Sequence, residues 1–278
     1  MRRKSERIAY WKQQMELGYR FMHDILSYPV HENNEKLVSL PEIVKKSGVK
    51  IKFSSIQRTK VSKPIFRLRE GLVDNFLQSA EEMNRRGWIM KVEDAFRTRD
   101  MQNPLNRTRK TFDAIMKIIL WECEGKIPEP EFIFRRLTVL IATIPKIATH
   151  MSGSAIDISV ISMRNGIEID RGAYYLEMNE KTFMESPFVS KKARENRHIV
   201  SEIMQKNGFY AYPFEFWHYS SGDAFAQFLS KSGKPAVYGP VELIDDSGTV
   251  RPIKNATRVL VQPEQLLERL KQSLKRLH

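Results

Sequence analysis

The chain has almost no cysteine. Among its 278 residues only Cys123 carries a thiol, so no disulfide can form within the chain and a zinc site built from four cysteines is excluded. A low cysteine content also fits a reducing compartment. Folding therefore depends on an apolar core. The hydrophobic content of 41% is ordinary for a globular protein and is sufficient to form such a core.

Long apolar segments are lacking as well. No stretch of the sequence approaches the roughly 18 apolar residues that a membrane-spanning helix needs. The chain begins with the basic run Met1-Arg2-Arg3-Lys4, but polar side chains interrupt the stretch in which a signal peptide would be continuously apolar. These interruptions are Glu6, Arg7, Lys12, Gln13, Gln14 and Glu16. We expect a cytoplasmic protein without a membrane span.

Acidic residues are too few to balance the basic ones. The chain has 46 lysines and arginines against 33 aspartates and glutamates, which gives a net charge of +13. Residues 1–60 hold 13 of the basic residues and only 6 of the acidic ones. Such a balance could serve nucleic acid, an anionic surface or an acidic partner. Because no nucleic-acid motif accompanies the charge, we interpret it as a solvated basic surface.

Apolar periodicity predicts helices in both halves of the chain and strands at its centre. Helical spacing occurs in seven segments, namely residues 5–27, 68–86, 107–124, 129–142, 189–207, 223–230 and 263–277. Strand patterns occur in five, namely residues 49–53, 88–92, 155–163, 167–169 and the aromatic-rich 209–219. Asn165-Gly166 is typical of a hairpin turn. This order predicts an α+β fold with helices packed on a central antiparallel sheet.

Two candidate metal ligands lie around the predicted strand 155–163. His150 precedes Asp157 by seven residues, and zinc accepts imidazole nitrogen and carboxylate oxygen as ligands. The offset alone does not bring the two side chains together. Ser152-Gly153 supplies a bend that could aim His150 toward a strand carrying Asp157. Taken alone, a histidine followed by an aspartate on a strand is more often structural.

A second pair lies in Glu215-Phe-Trp-His218. On a helix, this spacing would place both side chains on one face. The aromatic run favours a strand, on which an odd offset points side chains to opposite faces. A bulge or a strand end is therefore needed to bring Glu215 and His218 into one site. The alternative interpretation is an aromatic edge strand with an exposed glutamate.

An arginine follows the predicted strand 88–92, in the segment Asp94-Ala-Phe-Arg97. An arginine at a strand end can stabilise an oxyanion or hold a carboxylate. The alternative interpretation is a surface arginine, which is the commoner case for an isolated one.

Taken together, the three pieces describe one kind of site. His150, Asp157 and His218 would give three ligands and leave a fourth position for water, which is the arrangement of a catalytic rather than a structural zinc. Zinc can lower the pKa of such a water toward about 7. Glu215 would then act as general base, and Arg97 would neutralise the oxyanion.

These residues also carry a resemblance to a known family. From about residue 65 to 240 the chain resembles the D-alanyl-D-alanine dipeptidases, within the zinc D-Ala-D-Ala peptidases related to the Hedgehog signalling domain. The agreeing motifs are Asp94-Ala-Phe-Arg97, His150-Met-Ser-Gly-Ser-Ala-Ile-Asp157, Asn196-Arg197, Gly208-Phe209 and Glu215-Phe-Trp-His218-Tyr219. The resemblance implies one zinc per chain on His150, Asp157 and His218, with Glu215 as the catalytic base and Arg97 as the transition-state arginine.

Three stretches depart from the family pattern. The family's serine shortly before the first histidine is replaced by Ala148 and Thr149, and its Tyr-Arg-Pro is replaced by Phe96-Arg97-Thr98. The acid that receives the substrate's ammonium is missing or displaced in residues 172–177. Glu177 is the nearest candidate for that role, and two tyrosines could wall the pocket. These are Tyr174 and Tyr175.

The pattern predicts three segments along the chain. Residues 1–60 form a basic, partly helical N-terminal extension, residues 61–240 a zinc peptidase domain, and residues 241–278 a C-terminal extension with a hairpin and a helix. The leading hypothesis is hydrolysis of D-Ala-D-Ala or a similar short peptidoglycan-derived peptide. One alternative is a D,D-carboxypeptidase or endopeptidase on longer wall peptides, against which the missing export signal argues. Another is a binding module that has lost catalysis, against which the retained site residues argue.

Overall fold

The computed structural model describes residues 4–56 and 59–277, so residues 1–3, 57, 58 and 278 lie outside the described part. Its helices are α1 Lys4–Ser27, α2 Leu40–Ser47, α3 Val73–Arg85, α4 Arg99–Gln102, α5 Arg109–Glu122, α6 Pro130–Ile141, α7 Lys191–Lys206, α8 Ala224–Ser230 and α9 Pro263–Leu277. Its strands are β1 Leu37–Ser39, β2 Ile51–Phe53, β3 Arg67–Arg69, β4 Trp88–Asp94, β5 Ala155–Ser162, β6 Tyr210–Ala211, β7 His218–Ser220, β8 Val241–Leu243 and β9 Val250–Pro252. Within these ranges, every helix is too short or too polar to cross a bilayer.

A five-stranded sheet in the order β2-β4-β5-β7-β6 forms the centre of the fold. Its neighbours are antiparallel except at one edge, where β2 and β4 are parallel. The chain leaves β2 and reaches β4 only after α3, and a connection through a helix allows two strands to run in the same direction. The predicted α+β fold is confirmed, with this one parallel pair as the departure from an antiparallel sheet.

The main core lies between the sheet and two helices. Phe76 and Met83 of α3 pack with Met204 of α7 in one cluster of buried side chains, which also holds Val92 and Ile158 of the sheet. The apolar residues of α3 recur every three or four positions, so they share one face of the helix. Burial of that face fixes α3 and α7 against β4 and β5, which carry parts of the site.

The helix predicted for residues 68–86 begins later in the structure. Residues 67–69 instead form β3, which pairs with β1, and a short 3-10 turn over Glu70–Leu72 leads into α3. Arg69 is fully buried, and its guanidinium donates to the carbonyl oxygens of Glu35 and Ser152. These tertiary bonds outweigh the local helical pattern, which is a weak determinant by comparison.

The segments on either side of residues 61–240 pack against that central part. Trp11 of α1 lies in a buried cluster with Phe183 and Phe214, and its indole nitrogen donates to Glu122 on α5 at 2.9 Å. Strand β2 belongs to the main sheet, and α9 packs along α5. The hairpin of β8 and β9 meets β1, where the Leu37 amide donates to the Gly248 carbonyl at 2.9 Å. The division into three domains stays a prediction.

The aromatic stretch 209–219 forms two short strands rather than one. Strands β6 and β7 pair with each other, and a tight loop joins them. In this loop the Glu215 amide donates to the Tyr212 carbonyl at 3.3 Å, and the His218 amide donates to the Glu215 carbonyl at 3.1 Å. The two consecutive turns interrupt the predicted strand and place His218 as the first residue of β7.

Candidate active site

Strand register brings two of the predicted metal ligands together at the centre of the sheet. Asp157 of β5 lies directly opposite His218 of β7 on one side and opposite Asp94 of β4 on the other. Directly paired residues of neighbouring strands point to the same face, with Cβ atoms about 5 Å apart. The sheet alone therefore makes neighbours of Asp157 and His218, although 61 residues separate them.

The third ligand candidate arrives from a loop. His150 lies in a 3-10 turn over Thr149–Ser152 that ends at Gly153, whose φ is 69°. A Cβ atom at Gly153 would lie 2.2 Å from Leu37 Cδ2. A left-handed φ and a neighbour this close both require glycine, so the bend predicted at Ser152-Gly153 is present and has a steric cause.

His150, Asp157 and His218 form one buried cluster. One potential ligand atom from each lies within 4.8 Å of the other two. The closest pairs join Asp157 Oδ1 to His218 Nδ1, at 2.9 Å, and to His150 Nε2, at 3.2 Å. Two imidazoles and one carboxylate form a donor set that suits zinc. The cluster thus fits a zinc ion in the chemistry of its donors and in their mutual approach.

The outward-facing ring nitrogens are each hydrogen-bonded. His150 Nδ1 lies 2.6 Å from the Ala95 carbonyl oxygen, and His218 Nε2 lies 2.8 Å from the Thr149 hydroxyl. Such partners fix the tautomer and orientation of a ligating histidine. They leave Nε2 of His150 and Nδ1 of His218 for a metal. Sequence reasoning noted Thr149 only as a departure from the family and missed this contact.

The electrostatics of the cluster keep Asp157 ionised. Burial alone would raise the pKa of Asp157, but the charges and hydrogen bonds of His150 and His218 hold it well below its ordinary value. Burial and the nearby charge of Arg97 lower the pKa of His150. Burial would also lower the pKa of His218, yet its bond to Asp157 raises it. An ionised aspartate and a neutral histidine are the forms that bind metal.

Glu215 lies beside the cluster and is half-buried. Burial raises its pKa to about 7, Asp157 adds to the rise, and the charges of His218 and Arg97 oppose it. The Trp217 side chain donates a hydrogen bond to the carboxylate. A carboxyl group that titrates near neutral pH can both accept and return a proton, as a general base must. On a continuous strand Glu215 and His218 would point to opposite faces, but the turn preceding β7 brings both to one site.

Arg97 lies at the end of β4, on the same side as the cluster. Its Nε donates to Asp94 Oδ2 at 2.8 Å, its Nη1 donates to Gln102 Oε1 at 3.1 Å, and its Nη2 lies 3.6 Å from Asp157 Oδ2. Burial would lower the pKa of Arg97, but Asp94 and Asp157 raise it. The guanidinium is therefore charged and held in place. Gln102, which sequence reasoning missed, supports it from α4.

A cleft of about 530 Å³ contains the cluster, Glu215 and Arg97. The three residues predicted to bind substrate also line it, and they are Tyr174, Tyr175 and Glu177. The Tyr175 hydroxyl donates to Asp157 Oδ2 at 2.7 Å, whereas the Tyr174 side chain is 77% exposed at the rim. Tyr175 thus touches a candidate metal ligand rather than only walling the pocket.

The Glu177 carboxylate is engaged by its own segment of chain. It accepts hydrogen bonds from the Tyr174 amide at 3.0 Å and from Asn179 Nδ2 at 2.7 Å, and Lys181 Nζ lies 3.8 Å away. Burial would raise the pKa of Glu177, but these partners lower it. The geometry therefore gives Glu177 a part in closing the turn of residues 174–177, which carries Leu176 at a φ of 63°.

The Asn196-Arg197 motif holds the loop that carries these residues. The fully buried guanidinium of Arg197 donates to four carbonyl oxygens, and the Asn196 amide donates to the Asp170 carbonyl at 2.7 Å. The four acceptors are the carbonyls of Arg171, Phe183, Lys181 and Met184, at 2.7, 2.7, 2.8 and 3.4 Å. Helix α7 thereby fixes residues 170–184 beside the cleft, and the motif acts through the loop rather than within the cluster.

Tyr212 is a further cleft residue that sequence reasoning missed. It lines the cleft beside His218, with ring centroids 5.8 Å apart. Its side chain is buried, and its hydroxyl has no hydrogen-bond partner among residues 4–56 and 59–277. Burial raises the pKa of Tyr212 well above its ordinary value, so the phenol is neutral.

Comparisons with known proteins find relatives for the central part of the chain. A family model described as D-ala-D-ala dipeptidase matches residues 122–232. The D-alanyl-D-alanine dipeptidases of Enterococcus faecium and Enterococcus faecalis are 32% and 29% identical over 72 residues, which cover 26% of this chain and 36% of each relative. That of Escherichia coli is 29% identical over 101 residues, 36% of this chain and 46% of the relative. The matches thus span less than half the length of these curated relatives.

Two solved structures are also similar. One is the LdcB LD-carboxypeptidase, with 16% identity, a TM-score of 0.37 and coverage of 75% of this chain and 79% of the other. The second is the vancomycin resistance D,D-pentapeptidase VanY in complex with Zn(II), with 14% identity, a TM-score of 0.35 and coverage of 66% and 88%. The family model and the three curated relatives, by contrast, match the part of the chain that carries the cluster, and there the chain is similar to D-alanyl-D-alanine dipeptidases.

Proposed function

We propose that the protein is a zinc-dependent peptidase that hydrolyses D-Ala-D-Ala or a similar short peptide of peptidoglycan origin. The observation that carries the proposal is the buried cluster of His150, Asp157 and His218, in which each histidine has a partner on its outward nitrogen. The match of residues 122–232 to the D-ala-D-ala dipeptidase family model supports the reaction class. The relatives named as D-alanyl-D-alanine dipeptidases support the substrate class.

The cluster would hold one zinc ion per chain. Bound there, zinc would supply Lewis acidity toward a water molecule and the scissile carbonyl. The Ala95 carbonyl and the Thr149 hydroxyl orient the two imidazoles, and the Tyr175 hydroxyl holds the second oxygen of Asp157. These contacts prepare the ligand set before a substrate arrives.

Glu215 and Arg97 perform the proton transfer and the charge stabilisation. The Glu215 carboxylate accepts a proton from the water that attacks the scissile carbonyl, and it returns that proton to the leaving amine nitrogen. Arg97 donates hydrogen bonds to the carbonyl oxygen as it becomes negative. Asp94 and Gln102 fix the direction of the guanidinium. The net change is one peptide bond cleaved by one water, into a free carboxylate and a free amine.

One observation favours the second candidate function, a D,D-carboxypeptidase or endopeptidase on longer peptides. A dipeptidase must bind a free ammonium near the scissile bond, and burial of that charge without a partner is costly. Glu177, the carboxylate predicted for this task, already bonds to the Tyr174 amide and to Asn179. A cleft of about 530 Å³ also leaves room beyond a dipeptide. A cytoplasmic location, a small peptide as partner and the absence of a nucleic-acid partner stay predictions.

The test combines metal analysis with a peptide screen. We expect one zinc per chain, and hydrolysis of either D-Ala-D-Ala or an N-acetylated tripeptide that ends in D-Ala-D-Ala. Faster cleavage of the dipeptide supports the dipeptidase, whereas faster cleavage of the acylated peptide supports the carboxypeptidase. A zinc-loaded protein that cleaves neither, and does not cleave the L-alanine counterparts, overturns the proposed function.

A further inference from the structure

The lining of the cleft differs between its helices. The C-terminal end of α6 contributes apolar side chains, namely Val139, Leu140, Ile141 and Ala142. The start of α5 and the residues before it contribute polar and basic ones, namely Arg107, Thr108, Lys110 and Thr111. A peptide in the cleft therefore meets positive charge at the start of α5 in addition to the guanidinium of Arg97 at the catalytic centre.

Lys110 is a cation of this lining that is exposed and can meet an external anion. It lies in the first turn of α5, its side chain is exposed, and it has no carboxylate partner among residues 4–56 and 59–277. Arg97, by contrast, is bound to Asp94 and Gln102.

The acidic side chains of the cleft are bonded to residues other than Lys110. Asp157 contacts both histidines of the cluster, Glu177 bonds to Asn179, and Glu215 accepts from the Trp217 side chain. Among the described residues, no other aspartate or glutamate lines the cleft. The ammonium of Lys110 therefore faces a cleft whose own carboxylates do not neutralise it.

We propose that Lys110 is a specificity-determining residue that binds a carboxylate of the peptide in the cleft, an inference that rests on the proposed peptidase function. A carboxylate and an ammonium that meet at an accessible cleft wall form a charge-assisted hydrogen bond. Two parts of a peptide can supply the carboxylate, the free C-terminus or an acidic side chain. Because Lys110 lies outside the cluster, its contribution is to substrate affinity and not to the chemical step.

The experiment measures peptide affinity separately from turnover. Four N-acetylated tripeptides, which carry Glu or Gln before D-Ala-D-Ala and end in a free acid or an amide, are titrated by calorimetry into the zinc-loaded Glu215→Gln protein. The same titration is done with Lys110→Ala and Lys110→Arg added. Lys117→Ala is the matched control, because Lys117 is exposed on α5 but does not line the cleft. We expect Lys110→Ala to weaken binding roughly two- to tenfold, with Lys110→Arg close to the parent and Lys117→Ala unchanged.

The peptides identify the source of the carboxylate. If Lys110 binds the C-terminus, the effect of Lys110→Ala disappears for the amides, and if it binds the side chain, the effect disappears for the Gln peptides. Equal affinities of Lys110→Ala and Lys117→Ala for all four peptides overturn the inference alone. Binding that depends on Lys110, without hydrolysis of these peptides or of D-Ala-D-Ala by the wild-type protein, overturns the proposed function alone. No binding of any of the four peptides overturns the inference, and it overturns the proposed function as well only if the wild-type protein does not cleave D-Ala-D-Ala.

Discussion

At the scale of single residues, the hydrogen bonds around the cluster decide which atoms can bind a metal. His150 is hydrogen-bonded through Nδ1 to the Ala95 carbonyl, and His218 through Nε2 to the Thr149 hydroxyl. The Tyr175 hydroxyl donates to Oδ2 of Asp157. What remains is Nε2 of His150, Nδ1 of His218 and Oδ1 of Asp157, which lie near one another. The ligand set is therefore selected by its neighbours as well as by residue type.

Replacement of Glu215 by glutamine separates metal binding from catalysis. Glu215 lies beside the cluster but is not one of its three members. We expect Glu215→Gln to keep its zinc and to lose about 10²–10⁴-fold in kcat, the usual worth of a general base. Metal content by elemental analysis and steady-state kinetics on the cleaved peptide give the two readouts. A variant that also loses zinc would identify Glu215 as a ligand, and one with normal kcat would remove it from the mechanism.

The buried hydroxyl of Tyr212 predicts a stabilising substitution. A buried polar group without a hydrogen bond costs about 1–3 kcal/mol, so Tyr212→Phe should raise the free energy of unfolding by about 1 kcal/mol. Tyr219→Phe is the control, because the Tyr219 hydroxyl lies 3.2 Å from Ser201 Oγ and 3.4 Å from the Phe216 carbonyl. That variant should lose stability by about 1 kcal/mol. Urea unfolding of the metal-free proteins measures both, and a loss in Tyr212→Phe would contradict the prediction.

At the scale of elements, the loop of residues 170–184 depends on α7. Arg197 donates to four carbonyl oxygens near this loop, and lysine cannot reach these acceptors with the geometry of a planar guanidinium. We expect Arg197→Lys to lower the free energy of unfolding by about 2–4 kcal/mol, because buried carbonyls lose their partners.

Hydrogen exchange locates the effect of Arg197→Lys. Faster exchange should appear in residues 170–184 and not in β4 or β5. Arg194→Lys is the control, since Arg194 lies on the same helix and its side chain makes no hydrogen bond among the described residues. Equal effects of the two substitutions would show that the motif does not hold the loop.

Sequence periodicity predicted the long helices and strands β4 and β5, but it did not predict the division of residues 209–219 into β6 and β7. The patterns of α1, α5, α6, α7 and α9 are long and regular, and each was predicted within a few residues. The stretch 209–219 looks like one strand because its aromatic residues are frequent, but its turns depend on backbone bonds that no side-chain pattern encodes. The motifs identified His150, Asp157 and His218, whereas Thr149 and Gln102 act through contacts that only the folded chain creates.

At the scale of the whole molecule, the cluster joins three separate parts of the chain. His150 comes from the loop after α6, Asp157 from β5 and His218 from β7. A metal that binds all three binds only the folded protein, so it stabilises that state by mass action. At a free zinc concentration of about 100 times the dissociation constant, the gain is about 2.7 kcal/mol. For a chain of this size, we expect removal of zinc to lower Tm by roughly 5–10 °C.

Substitutions locate the origin of that thermal shift. His150→Ala and His218→Ala should unfold at the same temperature with and without zinc, because each removes one ligand of the proposed site. His198→Ala is the matched control, since His198 is exposed on α7 and its Nε2 lies 2.8 Å from the Glu185 carboxylate, outside the cluster. It should keep the full shift of the wild-type protein. Differential scanning calorimetry with and without a chelator measures all four proteins. A zinc-dependent shift that survives in His150→Ala and His218→Ala would place the stabilising metal elsewhere in the molecule.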